Sequence, residues 1–222
     1  MNQTIRIDRH VFLSQKDNRN NDGTSNWEPS KIWGRFNQCM NSTHTAVVSQ
    51  NFIQLKRYGV ECKTTGRLDE LAMYLALQEI IEKDEGDFKK ERFLWSRHAE
   101  LMTKIIQASF GDQFYYEHNL FSGSIEKMKL CLEAGFQFSL GLKMDSVVTG
   151  VKGHVVGISG MVINDGKIVS MEVQDPAGDA NTPSTYRQLN YEIGENVTYR
   201  KELIDKCLFP NVNSYIVLKV KK

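Results

Sequence analysis

Apolar positions recur at helical spacing from about residue 39 to about residue 135 and then switch to the two-residue alternation of strands. The spacing predicts a helix over 39–58, with Ala46, Val47, Phe52, Ile53 and Leu55 as its apolar positions and Gly59 as its stop. Two more are expected over 68–84 and 88–110, separated by the charged turn Lys83-Asp84-Glu85-Gly86-Asp87. The second is read as a single helix with Leu94, Trp95, His98, Leu101, Met102, Ile105 and Ile106 on one broad face. A fourth runs over 124–134, opened by Ser124 as N-cap and ended by Gly135.

Strands are expected over 136–142, 154–163, 168–174 and 215–220, and Asn164-Asp165-Gly166 between the middle pair is a strong hairpin signal. The first eight residues also alternate. Residues 14–37 are polar and turn-forming apart from Trp27 and Trp33, and read as a long loop of the kind that often carries function. Helices first and an antiparallel sheet afterwards means an α+β fold. No Pro- or Ser-rich linker divides the 222 residues, so one domain over 1–222 is expected.

Composition narrows the function classes. A formal net charge of +1 offers no long-range attraction for a polyanion, so no nucleic-acid partner is expected. Apolar runs are short and broken by charge, which predicts no membrane span, and the N-terminal residues lack the apolar core of a signal peptide. A cytoplasmic location follows as an expectation. Cys39, Cys62, Cys131 and Cys207 are scattered, which suits a reducing compartment. They share no ligand spacing with His10, His44, His98, His118 and His154, so neither metal nor cofactor is expected.

Cys39 is the one cysteine predicted at a helix N-terminus, where the helix dipole stabilises a thiolate. Cys62, Cys131 and Cys207 read as inert, packed thiols. His154 opens an apolar strand directly after Gly153, and Asp175 ends the next strand in Asp175-Pro176-Ala177-Gly178. Because the hairpin has nearly equal arms about Asp165, the two side chains should be neighbours. A histidine held by a carboxylate keeps the orientation needed to take a proton from a thiol. The expected site is therefore Cys39 with His154 and Asp175. Gln15 and Gln38 are both candidates for a side-chain amide that stabilises an oxyanion beside the Cys39 backbone amide.

At these residues the sequence resembles the bacteriocin-processing peptidase-like branch of the papain fold, in particular its small stand-alone phage and bacterial versions. Three pieces carry the likeness: Leu13-Ser14-Gln15-Lys16-Asp17-Asn18, Asn37-Gln38-Cys39-Met40-Asn41-Ser42-Thr43, and Gly153-His154 followed by Asp175-Pro176-Ala177-Gly178. The resemblance implies a papain-like cysteine peptidase fold, with N-terminal helices packed on a C-terminal antiparallel sheet. It also implies hydrolysis of a peptide or amide bond, with Gln15 as oxyanion donor, Cys39 as nucleophile, His154 as base and Asp175 as orienter. The chain departs from the family in having Met40-Asn41 before Ser42-Thr43, and in the length of its Gln15-to-Cys39 gap, which keeps Gln38 in competition.

The expected function is a thiol-dependent hydrolase, a cysteine peptidase or amidase, whose substrate is a peptide or peptidoglycan. The alternative is a catalytically silent papain-fold binding protein of a virion or host-interaction system.

Overall fold

A computed structural model describes residues 2–8, 10–14, 18–19, 25–27, 39–64, 68–121, 125–183, 186, 194–207 and 213–221. The helices are α1 (Cys39–Arg57), α2 (Glu70–Lys83), α3 (Phe88–Glu91), α4 (Trp95–Phe110), α5 (Ile125–Glu133) and α6 (Lys201–Cys207). The main sheet is built from β1 (Asn2–Arg6), β4 (Phe114–Phe121), β5 (Phe138–Lys143), β6 (Gly153–Asn164), β7 (Lys167–Gln174), β8 (Val197–Arg200) and β9 (Asn213–Val220). A two-stranded ribbon, β2 (Asn18–Arg19) with β3 (Ser25–Trp27), lies inside the stretch read as loop.

The fold is α+β, with an antiparallel sheet in the order β4-β9-β5-β6-β7-β8. β6 is its centre. One side of this strand pairs with β5 from Gly153 to Ile158 and with β1 from Gly160 to Asn164, while the other pairs with β7. Gly160 is where β1 joins, and a Cβ there would lie 3.0 Å from the Ile5 carbonyl oxygen, so the backbones approach too closely for a larger residue to fit without a shift. Burial on both faces explains why β6 reads as a near-continuous apolar run from Val155 to Met161 rather than as an alternation.

The hairpin between β6 and β7 forms as its turn residues require. Asp165 and Gly166 both have positive φ, 48° and 73°, the signature of a type I′ turn. Two register irregularities, at Ile158/Gly160 and Val162/Ile163, cancel each other, so the pairing at Gly157↔Gln174 keeps the register set at Asn164↔Lys167. Continued one step, that register sets Val156 opposite Asp175, with His154 two residues further along the same face.

Sequence and structure differ in one helix and in several added elements. The helix expected over 88–110 is broken into α3 and α4: the Leu94 N–H bonds back only three residues, to the Glu91 carbonyl oxygen at 2.8 Å, and the ring of His98 takes the Arg92 carbonyl oxygen at 2.8 Å. Leu94, expected on the buried face, precedes α4 and is 47% exposed. The sheet is also not confined to the C-terminal half. β1 and β4 come from the first 121 residues, and β4 stands outside the expected strands although Phe114 and Tyr116 alternate in burial with their neighbours. β8 and α6 are likewise additions to the expected elements.

Apolar residues of the sheet, including Phe138, Leu140, Val156, Ile158 and Val173, pack with Met128, Leu132 and Ile204 from α5 and α6 in one core cluster. Val47, Val48, Phe52 and Leu55 of α1 form a second cluster with Met102, Ile106 and Phe110 of α4. Among the described residues no helix is long and apolar enough to cross a membrane.

Candidate active site

α1 places Cys39 at its first position, where the backbone N–H has no partner within the helix. The first turns of this helix are buried although they are mostly polar: Asn41, Ser42, Thr43, His44 and Thr45 are all nearly inaccessible. Most buried polar groups are hydrogen-bonded, and here the partners of Asn41, Thr43 and Asn51 fix where the helix sits. Thr43 Oγ1 donates to the Val155 carbonyl oxygen on β6 at 3.0 Å, one residue from His154. Asn41 Nδ2 donates to the Glu70 carbonyl oxygen at 2.9 Å. Further along, the Asn51 side chain brackets the backbone of Gln137, donating to its carbonyl at 3.1 Å and accepting from its N–H at 2.9 Å. The helix that carries the nucleophile candidate is thus tied to the histidine strand by a side-chain hydrogen bond.

His154 and Asp175 meet as the hairpin arms predict. The His154 Nε2 to Asp175 Oδ1 distance is 2.7 Å, and the two side chains are 3% and 0% exposed. The Cys39 side chain also acts on the ring, and with Nε2 turned to Asp175 it is Nδ1 that is left free of the carboxylate. Burial by itself would depress the imidazole pKa. The Asp175 carboxylate and the Cys39 side chain outweigh it and hold His154 up at about 10, so the ring is an imidazolium at neutral pH.

Asp175 is held from several directions. Its Oδ1 accepts the Ala177 N–H at 2.8 Å, an Asx-type turn that caps its own loop. Its Oδ2 accepts hydroxyl protons from Tyr199 at 2.5 Å and Tyr186 at 3.0 Å. The Asp175 N–H donates to the Gly194 carbonyl oxygen at 2.8 Å, and a Cβ on Gly194 would fall 1.7 Å from the Asp175 carbonyl oxygen, so only glycine fits there. Tyr186 and Tyr199 are not among the residues the sequence singles out. Tyr199 lies on β8, which the apolar pattern does not mark, and nothing local marks a tyrosine as a carboxylate's donor.

Gln15 and Gln38 lie outside the described residues. Their chain neighbours Ser14 and Cys39 are described, and Ser14 Oγ donates to the carbonyl oxygen of Pro176, the residue after Asp175, at 3.3 Å. The other cysteines differ from Cys39 in setting. Burial pushes the Cys131 thiol up to about 12 and the Cys207 thiol up to about 11. Cys62 donates to the Thr64 carbonyl oxygen at 2.7 Å. Among the described residues no group of three or more His, Cys, Asp or Glu side chains is arranged to hold a metal ion.

A second histidine cluster lies deeper along α1. His98 Nε2–H donates to the Arg92 carbonyl oxygen, which leaves His98 Nδ1 as an acceptor for the His44 Nδ1–H at 2.8 Å. His44 Nε2 then accepts the Ser139 hydroxyl proton at 3.1 Å. Burial is the main cause that lowers both rings, His98 to about 4 and His44 well below its usual value, with His98 and His118 adding to the effect on His44.

No protein-family model matches the chain, and no curated protein matches it. Among solved structures it is similar to the crystal structure of xylellain, a cysteine protease from Xylella fastidiosa. The two are 14% identical over 99% of this chain and 86% of that chain, with a TM-score of 0.49.

Proposed function

We propose that this chain is a thiol-dependent hydrolase of peptide or amide bonds, with Cys39 as nucleophile, His154 as proton carrier and Asp175 as orienter. The observation that carries this reading is the buried ion pair of His154 with Asp175, with the Cys39 side chain acting on the same imidazole. A charged imidazole and a helix N-terminus beside one sulfur are the means by which proteins maintain a nucleophilic thiolate.

In the first half-reaction the Cys39 sulfur attacks the substrate carbonyl carbon and a C–S bond forms. The oxyanion meets the Cys39 backbone N–H and the side-chain amide of Gln15 or Gln38. Collapse breaks the C–N bond as His154 delivers its proton to the leaving nitrogen. Water then adds to the thioester while His154 takes its proton. The C–S bond breaks, the acid is released, and the thiolate–imidazolium pair is restored.

The proposed substrate class is peptide, either the stem peptides of peptidoglycan, as a phage-type lysin would cut, or a cytoplasmic protein. Wild type and Cys39→Ala are to be compared on purified peptidoglycan and on a cytoplasmic peptide pool. A wild-type cleavage that vanishes in the variant assigns both class and target. The reading fails if iodoacetamide at neutral pH alkylates Cys39 no faster than Cys62, Cys131 and Cys207.

A further inference from the structure

Asp175 is embedded in more donors than an orienting carboxylate needs. A single hydrogen bond to His154 aims the ring, and the Ala177 N–H already closes the loop. Two phenol hydroxyls are added. Their arrangement is directional: the Tyr199 oxygen accepts the Ala180 N–H at 3.1 Å, which leaves its own proton for Asp175 Oδ2. Tyr186 reaches both carboxylate oxygens, at 3.0 and 3.3 Å, and stands edge-on to the His154 ring with centroids 6.0 Å apart. The two tyrosines come from separate segments, Tyr199 from β8 and Tyr186 from a turn before it, and are buried to 1% and 7% exposure.

We propose that Tyr186 and Tyr199 are positioning residues of the triad: by donating to Asp175 they spread its charge and fix which oxygen faces His154, setting how firmly the imidazole keeps its proton. The inference rests on the function proposed above. A carboxylate stripped of donors would hold the imidazolium too tightly for it to surrender a proton to the leaving group, because each donor bonds most strongly when His154 is neutral and the carboxylate carries its full charge. Both phenols stay protonated, since burial and then the Asp175 charge raise them well above their usual range. The other titratable groups that act on this cluster are Cys39 from α1, Cys207 from α6, whose thiol is raised in part by Asp175, and Asp179, which acts on Tyr199.

The test separates this role from the catalytic reading by following the proton itself. In a Cys39→Ala background the sulfur no longer acts on the His154 proton, and the midpoint is read from histidine side-chain NMR between about pH 5 and 12, with His154→Asn used for assignment. Tyr186→Phe and Tyr199→Phe should each raise the midpoint by roughly 0.5 to 1 pH unit, the size expected for losing one charged hydrogen bond. In the Cys39-containing protein the same substitutions should leave iodoacetamide labelling of Cys39 at neutral pH as fast as in the wild type or faster, because the imidazolium beside the sulfur is held more firmly. Tyr199→Phe also strands the Ala180 N–H, so Tyr186→Phe decides the matter if Tyr199→Phe does not fold. Midpoints unchanged in the variants that fold overturn the proposal, whatever Cys39 proves to do. A shifted midpoint beside an unreactive Cys39 leaves the electrostatic coupling standing and removes the catalytic reading.

Discussion

Two histidine sites lie along the same helix and are buried to the same degree, yet they hold opposite charge states. His154, facing the first residue of α1, is an imidazolium held up at about 10, whereas His98, bonded to His44 one turn further along, is driven down to about 4. Burial acts on both in the same direction, against the charged form. The difference is the partner. His154 faces a carboxylate 2.7 Å away, while His98 faces another imidazole and a backbone carbonyl, so a proton added there would have no counter-charge. Desolvation thus sets a cost, and the neighbouring charge decides whether the cost is met. One site is fit to move a proton and the other to pin α1, α4 and β5 together without one.

The comparison breaks most sharply at Asp175. Asp175→Asn keeps the size and one hydrogen bond but removes the charge, so His154 should fall to the low pKa of the His98 type and be neutral at pH 7. Labelling of Cys39, and any hydrolysis, should drop by roughly 10²- to 10⁴-fold, as when a triad carboxylate is neutralised. A His154 that stayed charged at pH 7 in an NMR titration of this variant would show that the Asp175 charge is not what holds the proton.

The two sites should also pull stability in opposite directions with pH. Unfolding exposes His98 and His44 to water, where they bind protons below about 6.5. The folded chain resists this until about pH 4, so stability falls as pH drops from about 6.5 toward 4. At about 1.4 kcal/mol per unit, His98 alone accounts for about 3 kcal/mol of that loss. His154 has the reverse sign: its contribution is full below about 6.5 and is lost as pH rises through about 10. Urea midpoints across pH 4 to 10 measure both limbs. His98→Gln, which can still donate to Arg92 and accept from His44, should flatten the acid limb and leave the alkaline limb alone.

A smaller effect is expected where the sites connect. Thr43→Val deletes the hydrogen bond to Val155 without changing side-chain shape, at a cost of about 1 to 3 kcal/mol for the stranded buried acceptor. Cys39 labelling should slow by several-fold as the helix start loosens from β6, with both pH limbs unmoved. A variant with wild-type labelling would show that this hydrogen bond is not what holds Cys39 in place.

The legible part of this site is the part governed by local rules. Asp165 and Gly166 tolerate positive φ, so the chain itself announces a type I′ turn, and the turn fixes which residues face each other across β6 and β7. His154 and Asp175 follow from counting. Cys39 follows in the same way, from the period of α1 and its stop at Gly59. The same rules fail at 88–110, where a continuous apolar period conceals a break made by a side chain, His98, capturing the Arg92 carbonyl. They also fail on α1 itself, whose buried face is largely polar and hydrogen-bonds residues as distant as Val155 and Gln137.

Periodicity and turn chemistry in the sequence were thus enough to determine the α+β class, the hairpin register and the meeting of His154 with Asp175, because each depends on residues near one another in the chain. Only the tertiary structure decided their charges and their company. It brings Tyr186 and Tyr199 onto Asp175, sets Cys39 against His154, and leaves His44 and His98 facing each other. Electrostatic state is set by what lies within a few ångströms in space, and no pattern along the chain records that.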